Sequence, residues 1–189
     1  MKGVRIFLAN GFEDMEALAV CDVLRRGEVD VKLVGVERGT VVSSHGVNVV
    51  PDFCLEDLPE EEGAAGEKDV MIFPGGMPGS KTIAGCTRLI AAARRHYAEG
   101  GSLAAICAAP GLVLSQIDLP EGSKFTCFDG FQDPLIAKGC LFTGAPAEKS
   151  GRIITGRSAG HAVAFGLEIL KLLKGEETVA KVSHSLYLY

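Results

Sequence analysis

Cys107 stands within the run Ser102-Leu103-Ala104-Ala105-Ile106-Cys107-Ala108-Ala109-Pro110-Gly111, at the point where an apolar strand gives way to a helix. A thiol attacks an electrophile only as its thiolate. Unpaired N–H groups and the positive end of a helix dipole favour that anion and lower a cysteine pKa from its free value of about 8.5. A cysteine closing a buried strand is by default a small hydrophobe. The strand-turn-helix setting, with small residues at Ala105, Ala108, Ala109 and Gly111, instead predicts a tight elbow that a substrate can approach. A reactive thiol, ionised at neutral pH, is the expectation.

Two further segments carry polar groups that converge on such an elbow. Asn10-Gly11-Phe12-Glu13-Asp14-Met15-Glu16 follows the first apolar run and opens a helix. Glu13 and Asp14 suit capping of its positive end. Glu16, one turn further, is placed to reach back toward Cys107. A carboxylate there would repel a thiolate, so Glu16 assists only if desolvation keeps it protonated and able to donate to sulfur. Phe73-Pro74-Gly75-Gly76-Met77-Pro78-Gly79-Ser80-Lys81-Thr82 nearly spells a phosphate-binding P-loop, but Ser80 occupies the second glycine position and two prolines remove donors. The better role for this loop is an oxyanion hole, made by backbone N–H groups at Gly76 and Ala108 and walled by Gly75 and Met77.

The four histidines add little by spacing. His96 reads as a solvated helix residue, His161 as a helix-opening residue near the site, and His45 and His184 carry no pattern. The six cysteines (Cys21, Cys54, Cys86, Cys107, Cys127, Cys140) form no C-x-x-C pair, which argues against a zinc site or a disulfide framework. No metal and no cofactor are expected.

The elements that must position these residues follow from alternating patterns. Strands are predicted at Val4 to Ala9, Val29 to Val36, Val41 to Val50, Asp69 to Phe73, Ser102 to Ile106 and Arg152 to Thr155. Helices are predicted at Asp14 to Arg26, Cys86 to Glu99, Ala108 to Gln116 and Gly160 to Leu173, with an acidic linker from Glu56 to Lys68. Pro120 to Pro146 reads as short strands or irregular loop. The strands lack polar alternation, so the fold class is α/β with a mostly parallel central sheet covered on both faces. In such sheets the loops after Ala9, Phe73, Ile106 and Thr155 meet beyond the carboxyl ends of the strands.

With 189 residues, 47% hydrophobic and 23% charged, the chain fits one globular domain, 1–189. Its formal charge of −5 offers no basic stripe for nucleic acid. No apolar run approaches the roughly 18 residues of a membrane span, and the start lacks a signal peptide. A soluble, cytoplasmic protein is expected.

Taken together, Gly11-Phe12-Glu13-Asp14-Met15-Glu16, Pro74-Gly75-Gly76, Ala104-Ala105-Ile106-Cys107-Ala108-Ala109-Pro110 and Thr155-Gly156-Arg157 resemble the ThiJ/PfpI superfamily, especially its branch of parkinsonism-associated deglycase. The resemblance implies a flavodoxin-like three-layer sandwich, a homodimer, Cys107 as nucleophile and Glu16 as its protonated partner. The chain departs from the family pattern at three points. Ala108 stands where peptidase members place a histidine, which weakens a protease or amidase reading. Phe128, beside Cys127, stands where the deglycase branch supplies a histidine, so no general base is obvious. Arg157-Ser158-Ala159-Gly160-His161 replaces a glycine-proline run, so Arg157, Ser158 and His161 form a different pocket wall. The late H-x-E of glutamine amidotransferase relatives is missing. Two functions follow from the resemblance: glyoxalase- or deglycase-type hydrolysis of a small reactive carbonyl, or non-enzymatic oxidant sensing or chaperone action through Cys107. A role in thiazole monophosphate biosynthesis is neither supported nor excluded by these residues and ranks behind both.

Overall fold

The computed structural model describes residues 1–59 and 63–188. Five of its strands run parallel through the middle of the fold because each is apolar on both faces. In chain order the elements are β1 (Val4–Leu8), α1 (Asp14–Arg26), β2 (Val31–Gly35), β3 (Val41–Val42), β4 (Asn48–Val49), β5 (Phe53–Cys54), β6 (Val70–Phe73), α2 (Gly79–Gly85), α3 (Thr87–Ala98) and β7 (Ser102–Ile106). The second half adds α4 (Ala109–Leu112), β8 (Lys124–Phe125), α5 (Asp133–Ile136), β9 (Leu141–Phe142), β10 (Ala147–Ser150), β11 (Ile153–Gly156), α6 (Ala162–Lys174) and α7 (Glu176–Ser185). The main sheet has seven strands in the order β10-β11-β7-β6-β1-β2-β5, parallel except for the antiparallel β10 edge.

Successive residues of a strand point to opposite faces, and here both faces are core. Val4, Ile6 and Leu8 of β1, with Val70 and Ile72 of β6, join Val20, Leu24, Phe165 and Ile169 on the side of α1 and α6. Phe7, Met71, Phe73, Leu103 and Ala105 join Ile83, Leu89, Ala93 and Val113 on the side of α2, α3 and α4. The result is the expected α/β three-layer sandwich.

Several boundaries differ from expectation. The run Val41 to Val50 is not one strand: Ser43 to Val47 turns, with Gly46 at φ +82°, and folds β3 against β4 as a separate hairpin. The edge of the main sheet is instead β5. The helix expected from Ala108 to Gln116 is one α turn, opened by Pro110 and weakened by Gly111, followed by a 3-10 turn at Leu114–Gln116. The helix expected from Gly160 begins with a 3-10 turn at Ala159–His161 before α6. Gly175, at φ +83°, ends α6 and admits α7, which hydrophobic spacing had not marked. Pro120 to Pro146 resolves into β8, α5 and β9. The linker from Glu56 to Lys68 opens with the end of a 3-10 turn, and its residues 60–62 lie outside the described residues.

Candidate active site

The parallel register brings the ends of β1, β6, β7 and β11 level, so the loops that follow them share one rim. Cys107 directly follows β7 and is held at φ +64°, a left-handed conformation that few non-glycine residues adopt. Its own N–H donates to the Gly156 carbonyl at 3.1 Å, and its carbonyl accepts the Phe128 N–H at 2.8 Å. Those two bonds lock the elbow from both sides. The sulfur is partly buried, and the N–H groups of Ala108 and Gly76 donate toward it.

Glu16 lies in the first turn of α1, held there by Glu13, whose carboxylate caps the helix by accepting the Glu16 N–H at 2.9 Å. The Glu16 side chain is 1% exposed. Its Oε2 accepts the Gly75 N–H at 2.7 Å, its Oε1 has no hydrogen-bond partner, and the carboxyl borders the Cys107 thiol, since a Cβ on Gly75 would meet both groups. Burial therefore pushes Glu16 from its ordinary 4.5 up to about 7, against the smaller opposing effects of Cys107 and the Gly75 N–H. The raised carboxyl pKa agrees with expectation.

The thiol does not follow expectation. Burial, then the charge of Glu16 and its hydrogen bond, push Cys107 from 9.0 up to about 12, and the two N–H donors do not offset them. The reason is structural: α4 has four residues, too few for a substantial macrodipole, and the nearest ionisable neighbour is an acid. Around neutral pH the sulfur keeps its proton while Glu16 passes through its own titration. The two groups titrate as a coupled pair.

Glycine makes this contact possible. A Cβ on Gly75 would lie 2.6 Å from Cys107 Cβ and 3.0 Å from its Sγ. At Gly76, φ is +88° and a Cβ would collide with the Gly11 to Glu13 backbone. The P-loop resemblance of this segment dissolves in the structure, since the Gly75 N–H is spent on Glu16 and the Ser80 N–H on the Gly76 carbonyl.

The other expected site residues occupy the surrounding loops. Met77 is exposed on the glycine loop. Phe128 is 47% exposed, with its ring set edge-on to Phe131, and it serves Cys107 through its main chain. Arg157 pairs with Asp129 at 2.7 Å and lies over the Phe142 ring, clamping the loop that carries Phe128. Ser158 Oγ and His161 Nδ1 are 3.2 Å apart, and His161 is the residue before α6. Cys127 is fully buried, and that burial pushes its thiol up to about 12.

One histidine departs from expectation and a second acquires a partner that spacing does not mark. His96 is not solvated: it is 1% exposed and its Nε2 donates to the carbonyls of Asp69 and Ser102. Its spacing from Leu89, Ala92 and Ala93 places it on the buried stripe of α3. His45, which showed no sequence pattern, pairs through Nδ1 with Asp14 Oδ2 at 2.6 Å because the β3–β4 turn folds over the start of α1. Glu13, Asp14 and His45 place one ligand atom each within 4.8 Å of one another. Glu13 and Asp14 are nevertheless engaged with the Glu16 N–H, the Ser43 hydroxyl and His45.

A family model described as DJ-1/PfpI matches residues 2–172. The chain belongs to the DJ-1/PfpI family. Among DJ-1/PfpI relatives, it is 35% identical over 188 residues to Protein DJ-1 homolog A of Arabidopsis thaliana, covering 99% of this chain and 47% of that protein. The chain thus spans about half the length of that curated relative. It is 30% identical over 165 residues to the glutathione-independent glyoxalase DJR-1.2 of Caenorhabditis elegans, covering 87% of this chain and 84% of that one. The solved structure of oxidized DJ-1 from Toxoplasma gondii superposes with a TM-score of 0.88 at 30% identity, over 99% of this chain and 98% of that one. These DJ-1 neighbours share the mostly parallel α/β sandwich. Among the described residues no helix is long and apolar enough to cross a membrane.

Proposed function

We propose that the chain converts small reactive carbonyls of the α-oxoaldehyde class to hydroxyacids, with Cys107 as nucleophile and Glu16 as the group that moves its proton. The observation carrying this reading is the contact between a half-buried thiol on a strained elbow and a carboxyl that titrates near neutrality. A base with a pKa close to the working pH combines availability with driving force. Glu16 therefore fills the role left open by Phe128, and a protonated resting thiol is no obstacle when its base is already in contact.

The Glu16 carboxylate accepts the S–H proton as sulfur attacks the aldehyde carbon, forming a hemithioacetal. Negative charge leaves sulfur for the carbonyl oxygen, close to the N–H groups of Gly76 and Ala108. Glu16 gives its proton to that oxygen. Ionised again, it takes the proton from the former aldehyde carbon, whose electron pair forms an enediolate; the hydroxyl proton on that carbon passes to the neighbouring oxygen and Glu16 returns its proton to the neighbouring carbon, leaving a thioester of a 2-hydroxyacid. Water hydrolyses the thioester, releasing the acid and restoring the thiol. The name of the glyoxalase relative agrees with this chemistry.

The test is lactate release from methylglyoxal by the native chain, Cys107→Ala and Glu16→Gln. Turnover lost in Cys107→Ala and strongly reduced in Glu16→Gln supports the proposal. Equal turnover in all three, or none in the native chain, refutes it. A second reading, oxidant sensing, draws on the same partly exposed sulfur and on the relative solved in an oxidized state. Intact mass after peroxide treatment separates the two readings, because a sensor gains oxygen at Cys107 below the concentrations that modify the other cysteines.

A further inference from the structure

At the far end of β7 from Cys107 lies a cleft of about 400 Å³, lined by Arg94, Arg95, Tyr97, Ile117, Asp118 and Arg152, together with Ala98. Its volume is that of a small-molecule site. A five-residue strand separates the two ends, a span of about 17 Å, so this cleft is not part of the Cys107 rim. Three arginines and one aspartate line it, in a chain whose formal charge is −5. Lys138 adds a fourth cation at the edge, its Nζ donating to the Ile117 carbonyl at 3.1 Å.

Two of these arginines are held in place by main-chain carbonyls. Arg94 Nε donates to the Gln116 carbonyl at 2.8 Å. Arg152 Nη1 donates to the carbonyls of Tyr97, at 2.8 Å, and Gly101, while its Cζ lies 4.2 Å from the centroid of the Tyr97 ring. These bonds occupy one nitrogen of each group, Arg94 at the 3-10 turn that ends in Gln116 and Arg152 at the end of α3. A guanidinium carries five N–H donors, so both retain donors beyond those bonds, in planes already fixed by the carbonyls and the ring. Positive charge delivered from three separate segments, and donors that need no ordering on binding, suit an anion that carries more than one charge and several acceptor oxygens, as a phosphoryl group does.

We infer that this cleft binds the phosphoryl group of a small molecule, with Arg94 and Arg152 as its principal donors and Arg95 and Lys138 supplying charge. The site is separate from the Cys107 chemistry and does not depend on it.

Titration calorimetry with inorganic pyrophosphate at low ionic strength tests the inference. The expected result is saturable one-to-one binding, weakened about tenfold or more in Arg94→Gln and in Arg152→Gln through loss of a charge-assisted hydrogen bond, and unchanged in Cys107→Ser. Arg94→Gln gives up a single carbonyl contact and keeps the test decisive if Arg152→Gln fails to fold. Absence of saturable binding to the native chain, or binding retained by both variants, overturns the site. Citrate binding as tightly as pyrophosphate overturns its assignment to phosphoryl groups.

Discussion

Glu16→Gln is nearly isosteric and removes one titration. Burial raises the Glu16 carboxyl from 4.5 to about 7 in the folded chain, so between those values the native state holds a proton that the unfolded chain has released. Stability then falls as pH rises. The contribution is complete below 4.5, is lost as pH passes through about 7, and the whole displacement corresponds to about 3 kcal/mol. Glutamine cannot ionise, yet its amide oxygen can still accept the Gly75 N–H that Oε2 accepts in the native chain. Urea unfolding of both proteins at intervals from pH 4.5 to 8.5 provides the assay. The native chain should lose about 3 kcal/mol relative to Glu16→Gln across that range, leaving the variant relatively favoured above neutrality. Two curves separated by a constant gap would refute the claim that a buried carboxyl ionises near pH 7.

Other substitutions probe the surrounding geometry. Gly75→Ala places a Cβ 3.0 Å from Cys107 Sγ, so turnover should fall about 100-fold with the circular dichroism spectrum preserved, and an unchanged rate would show the close approach to be dispensable. His96 is held below 6.5 by burial, so its stabilising contribution is complete above 6.5 and is lost as pH falls through its folded value; an NMR midpoint at or above 6.5 would contradict its burial. His45 is raised by its hydrogen bond to Asp14, and Asp14→Asn should move its NMR midpoint back toward 6.5, whereas no movement would mean the pair does not form in solution.

Strand alternation and helix spacing were enough to read α1, the central strands and the layer order, because each depends on local period and burial. They also placed Cys107 on an elbow and Glu16 facing it. What escaped the sequence depends on contacts between distant segments. The pairing of His45 with Asp14 exists only once the β3–β4 hairpin folds back over α1, 31 residues away in sequence. The protonation of Cys107 depends on how deeply Glu16 is buried and on how short α4 is, and neither is visible as spacing. His96 was legible in principle: its place on the stripe with Leu89 and Ala93 outweighs the polarity of an imidazole whose Nε2 finds two carbonyls.

The location of the proton in the Glu16–Cys107 pair is the claim on which the chemistry turns. Infrared difference spectra of the native chain against Glu16→Gln, and thiolate absorbance against Cys107→Ala, follow both groups through one pH titration. The account predicts that a carboxylic acid band from Glu16 disappears with a midpoint of about 7, while thiolate from Cys107 emerges only in the strongly alkaline range. A Cys107 thiolate already formed below pH 7, with Glu16 still protonated, would contradict it.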